Sequence, residues 1–226
     1  MARRVKPEEY AARRTQILAT ALVLIREKGY QEMTISDILT ALDISKGAFY
    51  HYFDSKHALL DGIVDTMGTD ALTALREAVD APAADAMTRL RGYLLSAVGW
   101  KAAHADELAT IARMWRNENN AVLKQRIAEQ AVRGQAPLLA TIIRQGAGDG
   151  VFAVTHPDEA ATIIAGMGLN LGDDLIAAFT APVDRTAAAH RLVWAHLEAL
   201  ERILGAPAGS LTGLTQQIVG AMAFDL

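Results

Sequence analysis

The chain contains no cysteine, which excludes disulfides and thiolate metal sites at the outset. It also has no hydrophobic run long enough to cross a bilayer. The least polar early stretch, Ile17 to Ile25, follows the acidic pair Glu8 and Glu9 and has no small-residue cleavage site behind it. Neither a secretory leader nor a membrane span is expected, and a cytoplasmic protein is. The six histidines (51, 57, 104, 156, 190 and 196) include no pair at the i, i+4 spacing of a helical metal site, so no metal is expected. A serine nucleophile elbow, a phosphate loop, a dinucleotide fingerprint and an HExxH motif are all absent, which gives no indication of catalysis or of a cofactor. Alternation of period two, the mark of strands, is missing as well.

What is present suits packed helices: of 226 residues, 51% are hydrophobic and 21% charged. The net charge of -4 fits poorly with a protein that coats nucleic acid without specificity. Its distribution is uneven. Residues 1–60 carry nine basic against seven acidic side chains, and the rest carry 13 against 19, as expected if one end alone touches DNA.

Apolar residues recur at three-and-four spacing almost throughout, which predicts nine or ten helices and an all-α fold. The first spans about Glu8 to Lys28 and stops at Gly29 after a basic last turn. Thr34, with Asp37 three residues on, has capping-box spacing for a short second helix that turns Ile35, Ile38 and Leu42 inward. Ser45 can cap a very short third helix, and Asp54 or Ser55 a long fourth that carries Leu59, Leu60, Ile63, Val64 and Met67 to about Val79. Further helices are expected over 84–103, 106–116 and 119–146, the last kinked or ended midway by Pro137, with 146–150 as a loop. Pro157, Asp158 and Glu159 open a long helix, and a second follows the Ala181-Pro182 turn. The chain is expected to divide into a DNA-binding domain, 1–55, and a larger helical domain, 56–226.

Two short helices, about 34–42 and 45–51, joined by a tight turn beneath a long first helix, make a helix-turn-helix. Gly47 inside the second costs about 1 kcal/mol relative to Ala, so the missing side chain needs a reward, and close approach to DNA supplies one. Around it Ser45, Lys46, Tyr50, His51, Tyr52 and Lys56 form a dense set of donors for phosphate oxygens, while Phe49 and Phe53 are placed to anchor the helix inward.

The run Thr34-Ile35-Ser36-Asp37-Ile38, then Ile44-Ser45-Lys46-Gly47-Ala48-Phe49-Tyr50-His51-Tyr52-Phe53-Asp54-Ser55-Lys56 and Leu59-Leu60, preceded by Gly29-Tyr30, resembles the DNA-binding domain of the TetR family of transcriptional regulators. The resemblance covers about residues 10–60. It implies that Tyr50 and Lys56 bind phosphate, that Thr34 anchors the second helix to the DNA backbone, and that Lys46 and Ala48 face bases. Arg3, Arg4 and Lys6 are candidates for an arm reaching the minor groove or backbone. One departure stands out: the family usually has Gly in the turn between the short helices, and this chain has Asp43, one of the few other residues that tolerate left-handed backbone angles. The implied protein is a repressor that binds a palindromic operator in double-stranded DNA as a homodimer and is released by a small-molecule effector.

In the larger domain, Tyr93, Trp100, His104, Met114, Trp115 and Asn170 are candidates to line an effector cavity, though aromatic and methionine side chains at this spacing equally suit plain core. The apolar composition points to an apolar or aromatic effector. The last two long helices, which the resemblance makes a dimer interface, offer Ile164, Met167, Gly168, Leu171, Leu175, Val193, Leu197, Leu200 and Leu204. Two other classes compete: a helical enzyme or carrier that keeps the fold without binding DNA, and a dimeric scaffold whose head contacts proteins.

Overall fold

The computed structural model describes residues 7–82, 84–117, 121–180 and 184–222, with the backbone alone at 112–117, 121–123, 173, 176, 177, 179 and 180. The described residues form no strand. They form α1 (Pro7–Lys28), α2 (Ile35–Leu42), α3 (Lys46–Tyr50), α4 (Lys56–Val79), α5 (Ala86–Ala103), α6 (Ala105–Asn117), α7 (Ala121–Gly148), α8 (Pro157–Thr180), α9 (Arg185–Leu204), a 3-10 turn (Thr212–Leu214) and α10 (Thr215–Met222). The chain is all-α, as its periodicity predicts.

Two compact units emerge, residues 1–69 with 106–120, and 70–105 with 121–226. The division falls inside α4, later than the expected boundary near residue 55. Packing explains it: Leu59 and Ile63 are buried in the core of the first unit and Met67 packs against it, so the first turns of α4 cannot be separated from the head. The start of α6 joins this unit through Arg26 of α1, whose Nη2 lies 2.8 Å from Asp106 Oδ2 and whose Nη1 lies 3.7 Å from Glu107 Oε1.

The core of the first unit is built from Ile17, Ala21 and Ile25 of α1, Met33, Ile38 of α2, Phe49 of α3 and Phe53. Gly29 takes φ +85 and ends α1. At the head of α4, Gly62 passes so close to its neighbours that a Cβ would lie 3.0 Å from both Leu18 Cδ2 and Phe53 Cε1.

In the second unit α7 packs on α8 and α8 on α9, with α5 against α7 and α10 against α5 and α9. Leu90, Leu139, Ile142, Ile143, Ala161, Ala189 and Val193 are among its buried side chains. A buried carboxylate closes the C-terminal end: Glu201 Oε1 accepts from Leu211 N (2.6 Å) and Thr212 N (3.0 Å), and Oε2 from Gly209 N (2.9 Å).

Three expectations need correction here. Helix α7 runs through Pro137, so of the two outcomes expected there, a kink or an end, the end is excluded. Proline removes one N–H while its φ stays helical, and burial of Leu139, Ala140, Ile142 and Ile143 just beyond outweighs that loss. Residues 146–148 are helix, not loop. Gly146 serves close packing: a Cβ there would lie 2.1 Å from Phe152 Cδ2, and its carbonyl accepts from Val151 N and Phe152 N.

The third correction concerns the interface candidates. Ile164, Leu175, Val193, Leu197, Leu200 and Leu204 are each at most 3% exposed, buried in the core of their own chain and closed to a partner. Met167 and Leu171 pack against the same core, and Gly168 is half-buried. Among the described residues, the large apolar side chains that α8 and α9 do leave exposed are Ile163 and Trp194.

Candidate nucleic-acid interface

The site begins with two caps. Thr34 sits in extended backbone before α2, where its Oγ1 accepts from Asp37 N (3.2 Å) while Asp37 Oδ2 accepts from Thr34 N (2.8 Å), the reciprocal capping box its spacing predicts. Ser45 does the same work for α3, its Oγ accepting from Ala48 N at 3.2 Å. Between them Asp43 holds φ 49 and ψ 53, the left-handed corner that turns α2 into α3, and Ile44 N closes the turn on Leu39 O at 3.1 Å. A third cap starts α4, where Ser55 rather than Asp54 accepts from Ala58 N at 3.0 Å.

With five residues, α3 has one inward and one outward side. Phe49 is fully buried and Phe53, just beyond, nearly so; their ring centroids are 6.0 Å apart. Outward stand Lys46, Gly47, Tyr50 and His51, all exposed, with Ala48 half-buried. Tyr50 keeps 41% of its surface, high for a tyrosine. His51 caps the C-terminal end of α3 and packs edge-on to Tyr10 and Tyr52. A Cβ on Gly47 would meet nothing nearer than Ser45 Oγ at 4.0 Å, so the fold does not require glycine there.

Thr34, Lys46, Tyr50 and Lys56 converge on one concavity of about 400 Å³, lined also by Gln31 and by Ile35 and Ser36 of the first turn of α2. Helix-start N–H groups, a phenol and two ammonium groups around one hollow are the donor set for a phosphate group. Two of its features were not anticipated. Lys56 does not simply project outward: Nζ donates to Gln31 O at 3.1 Å and lies 4.4 Å from the Tyr30 ring centroid, which fixes the cation at the rim. Likewise Lys28 Nζ lies 2.7 Å from Asp37 Oδ1. Lys28, with the Thr34 donors, holds the Asp37 carboxyl down to about 2 from an ordinary 3.8. Gly29-Tyr30 carried the only sequence signal for the first pair. Arg3, Arg4 and Lys6 lie outside the described residues.

The effector candidates are less unified. Tyr93 is core, its hydroxyl donating to Gln135 Oε1 at 3.1 Å, and burial pushes the phenol well above the usual range. Trp100 and His104 come together: their rings stack at 4.4 Å, and the indole Nε1 donates to Asp70 Oδ2 at 2.7 Å. Asn170 is exposed on α8, and the side chains of Met114 and Trp115 lie outside the described residues. Nearby in sequence, Lys101 Nζ is 3.5 Å from Gly168 O, and burial together with Lys101 lowers the His196 pKa.

An exposed short helix set on a buried aromatic anchor, beside a hollow lined by Thr34, Lys46, Tyr50 and Lys56, makes a helix-turn-helix. Comparison with known proteins shows what the head and the fold are similar to. The family model described as "Bacterial regulatory proteins, tetR family" matches residues 17–63. Over 69 residues the chain is 38% identical to the HTH-type transcriptional repressor KstR2 of Rhodococcus jostii, and over 79 residues 34% identical to the HTH-type transcriptional regulator EthR of Mycolicibacterium smegmatis. These stretches are 30% and 35% of this chain and only 34% and 36% of the relatives' own length. Over the whole fold, a tetR-family regulatory protein from Rhodococcus RHA1 superposes with a TM-score of 0.56 at 26% identity, covering 86% of this chain and 97% of that one. A TetR-family transcriptional regulator from Pectobacterium atrosepticum reaches 0.64 at 22%, covering 90% and 100%. Residues 17–63 thus match the tetR family model and the chain as a whole is similar to solved TetR-family regulators; the relatives matched are named as regulators and not as enzymes.

Proposed function

We propose that this chain is a ligand-responsive repressor that binds a palindromic operator in double-stranded DNA as a homodimer. The observation that supports this most is the convergence of Thr34, Lys46, Tyr50 and Lys56 on one hollow beside an α3 held outward by Phe49 and Phe53. Helix α3 enters the major groove, Lys46 and Ala48 face base edges, and Tyr50, Lys56 and the start of α2 take the flanking phosphates. His51 and Ser45 sit at the ends of α3 within reach of the same backbone. A single five-residue helix reads few base pairs, so two heads about one helical turn apart, roughly 34–36 Å, are needed for specificity. The second copy docks on the faces of α8 and α9 that expose Ile163 and Trp194.

The second unit takes a small apolar or aromatic effector, with Trp100 and His104 as the aromatic pair nearest that role. Because α4 belongs to both units, an effector that favours a displaced α4 releases the head from DNA, by a coupling of typically 1–3 kcal/mol. Selection of duplexes from a random pool by the full chain tests the proposal. Enrichment of an inverted repeat is the expected result, and recovery of no common sequence refutes specific reading. A protein of this kind works in the cytoplasm; no helix among the described residues is long and apolar enough to span a membrane.

A further inference from the structure

Thr34 stands where the DNA reading puts a phosphate, yet its hydroxyl is already committed. Oγ1 donates to Asp37 Oδ2 at 2.8 Å and accepts from Asp37 N at 3.2 Å. What the first turn of α2 still offers an anion is main-chain N–H, from Ile35 and Ser36, which have no carbonyl of the helix behind them to donate to. The same turn carries a full negative charge, since Asp37 follows directly on Ser36, a lining residue of the hollow. An unbalanced carboxylate there opposes the phosphate that the N–H groups attract.

The balance comes from α1. Lys28, its last residue, places Nζ 2.7 Å from Asp37 Oδ1, the oxygen that Thr34 leaves open. Oδ2 meanwhile takes both Thr34 donors, its main-chain N and Oγ1, at 2.8 Å each. Lys28 is not a lining residue of the hollow. We propose that Lys28 is a positioning residue for DNA binding: it neutralises and orients Asp37, so that the start of α2 meets a phosphate with its N–H groups and not with net negative charge. The inference rests on the DNA reading above and adds a residue that the helix-turn-helix motif itself does not contain. Sequence reading sees in Lys28 only a basic side chain in a helix's last turn, because its partner is nine residues away on another helix.

The full-length protein tests it, with binding to a selected palindromic duplex and to a random duplex measured by fluorescence anisotropy over a range of salt. Lys28→Met weakens both duplexes by roughly two- to fivefold per head, the scale of one partly exposed charge pair, and leaves the slope of log affinity against log salt unchanged. Asp37→Asn, which keeps an acceptor for Thr34 N, binds as well as or better than the parent. The double variant returns to the Asp37→Asn level, and Lys28→Arg keeps parental binding. Three results overturn the inference: unchanged binding by Lys28→Met; a slope reduced by about 0.9 with the loss persisting in the double variant, which makes Lys28 itself a phosphate ligand; or parallel losses of affinity and melting temperature in Lys28→Met and Asp37→Asn, which make the pair purely structural. If the parent chain binds neither duplex, the DNA reading fails and takes this inference with it, a pattern distinct from the other three because all variants are then alike.

Discussion

The ring of Phe152 lies against the Cα of Gly146, so close that a Cβ at that position would fall 2.1 Å from Cδ2 and 2.4 Å from Cε2. Both atoms belong to a buried ring, which cannot swing aside into solvent. Gly146→Ala therefore gains helix propensity but overpacks the core, and net destabilisation of about 1–3 kcal/mol is expected. Urea unfolding followed by circular dichroism checks this. A variant as stable as the parent would show that the Phe152 site yields more readily than its packing implies.

Gly47 is the opposite case. Among the described residues nothing comes nearer to its missing Cβ than Ser45 Oγ at 4.0 Å, so Gly47→Ala should stabilise the head by up to about 1 kcal/mol. On the proposed DNA reading the same methyl faces the groove and should weaken DNA binding. A raised melting temperature together with reduced affinity is the expected pair of results; equal affinity would mean that DNA does not approach α3 here.

Lys56 and Lys46 line one hollow, and the proposed function gives them different tasks. Lys56 is fixed on Gln31 O and the Tyr30 ring; if it binds a phosphate as proposed, Lys56→Ala weakens all sequences alike and lowers the salt slope by about 1. Lys46→Ala also relaxes sequence preference. Tyr30→Ala, which removes the ring beneath the ammonium, gives a milder copy of the Lys56 phenotype. Affinities of the three variants on operator and random duplexes decide it, and identical specificity ratios for Lys46→Ala and Lys56→Ala would refute the division of labour.

Glu201 sets a pH dependence. Burial by itself would raise its pKa, but the three main-chain N–H donors of Leu211, Gly209 and Thr212 prevail and hold it below its ordinary 4.5. A carboxylate depressed in this way stabilises the folded state above the unfolded value, and the contribution is lost as pH falls through the lower folded value. Glu201→Gln keeps one acceptor oxygen but turns an amide N–H toward Gly209 N, and should cost about 1–3 kcal/mol at neutral pH. Denaturant midpoints from pH 7 down to 3 measure it: the gap between parent and variant should narrow as pH drops, and a gap that is constant would place the effect elsewhere.

Much of the head is legible because its signals are local. Thr34 and Asp37 cap within one turn, Ser45 caps α3, Gly29 ends α1, and Phe49 and Phe53 turn inward because they lie four residues apart. Asp43 takes the left-handed angles a glycine would otherwise supply. The misses are all nonlocal. Gly146 looks like a loop residue until Phe152 is brought against it, and Pro137 looks like a stop until the apolar turns beyond it are seen buried. The stripe of Ile164, Leu175, Val193, Leu197, Leu200 and Leu204 correctly reports a buried face, but periodicity cannot tell whether the same chain or a second copy covers it. Nor does spacing disclose that Lys28 belongs to Asp37, Lys56 to Tyr30 or Trp100 to Asp70.

The claim on which the rest depends is that α3 enters the major groove. Dimethyl sulfate methylates guanine N7 from that groove alone, so protection of a selected duplex by the full-length chain tests it most directly. Two protected patches are expected, about one helical turn apart and both lost with Lys46→Ala. Tight binding that leaves every N7 in the site reactive would contradict the account.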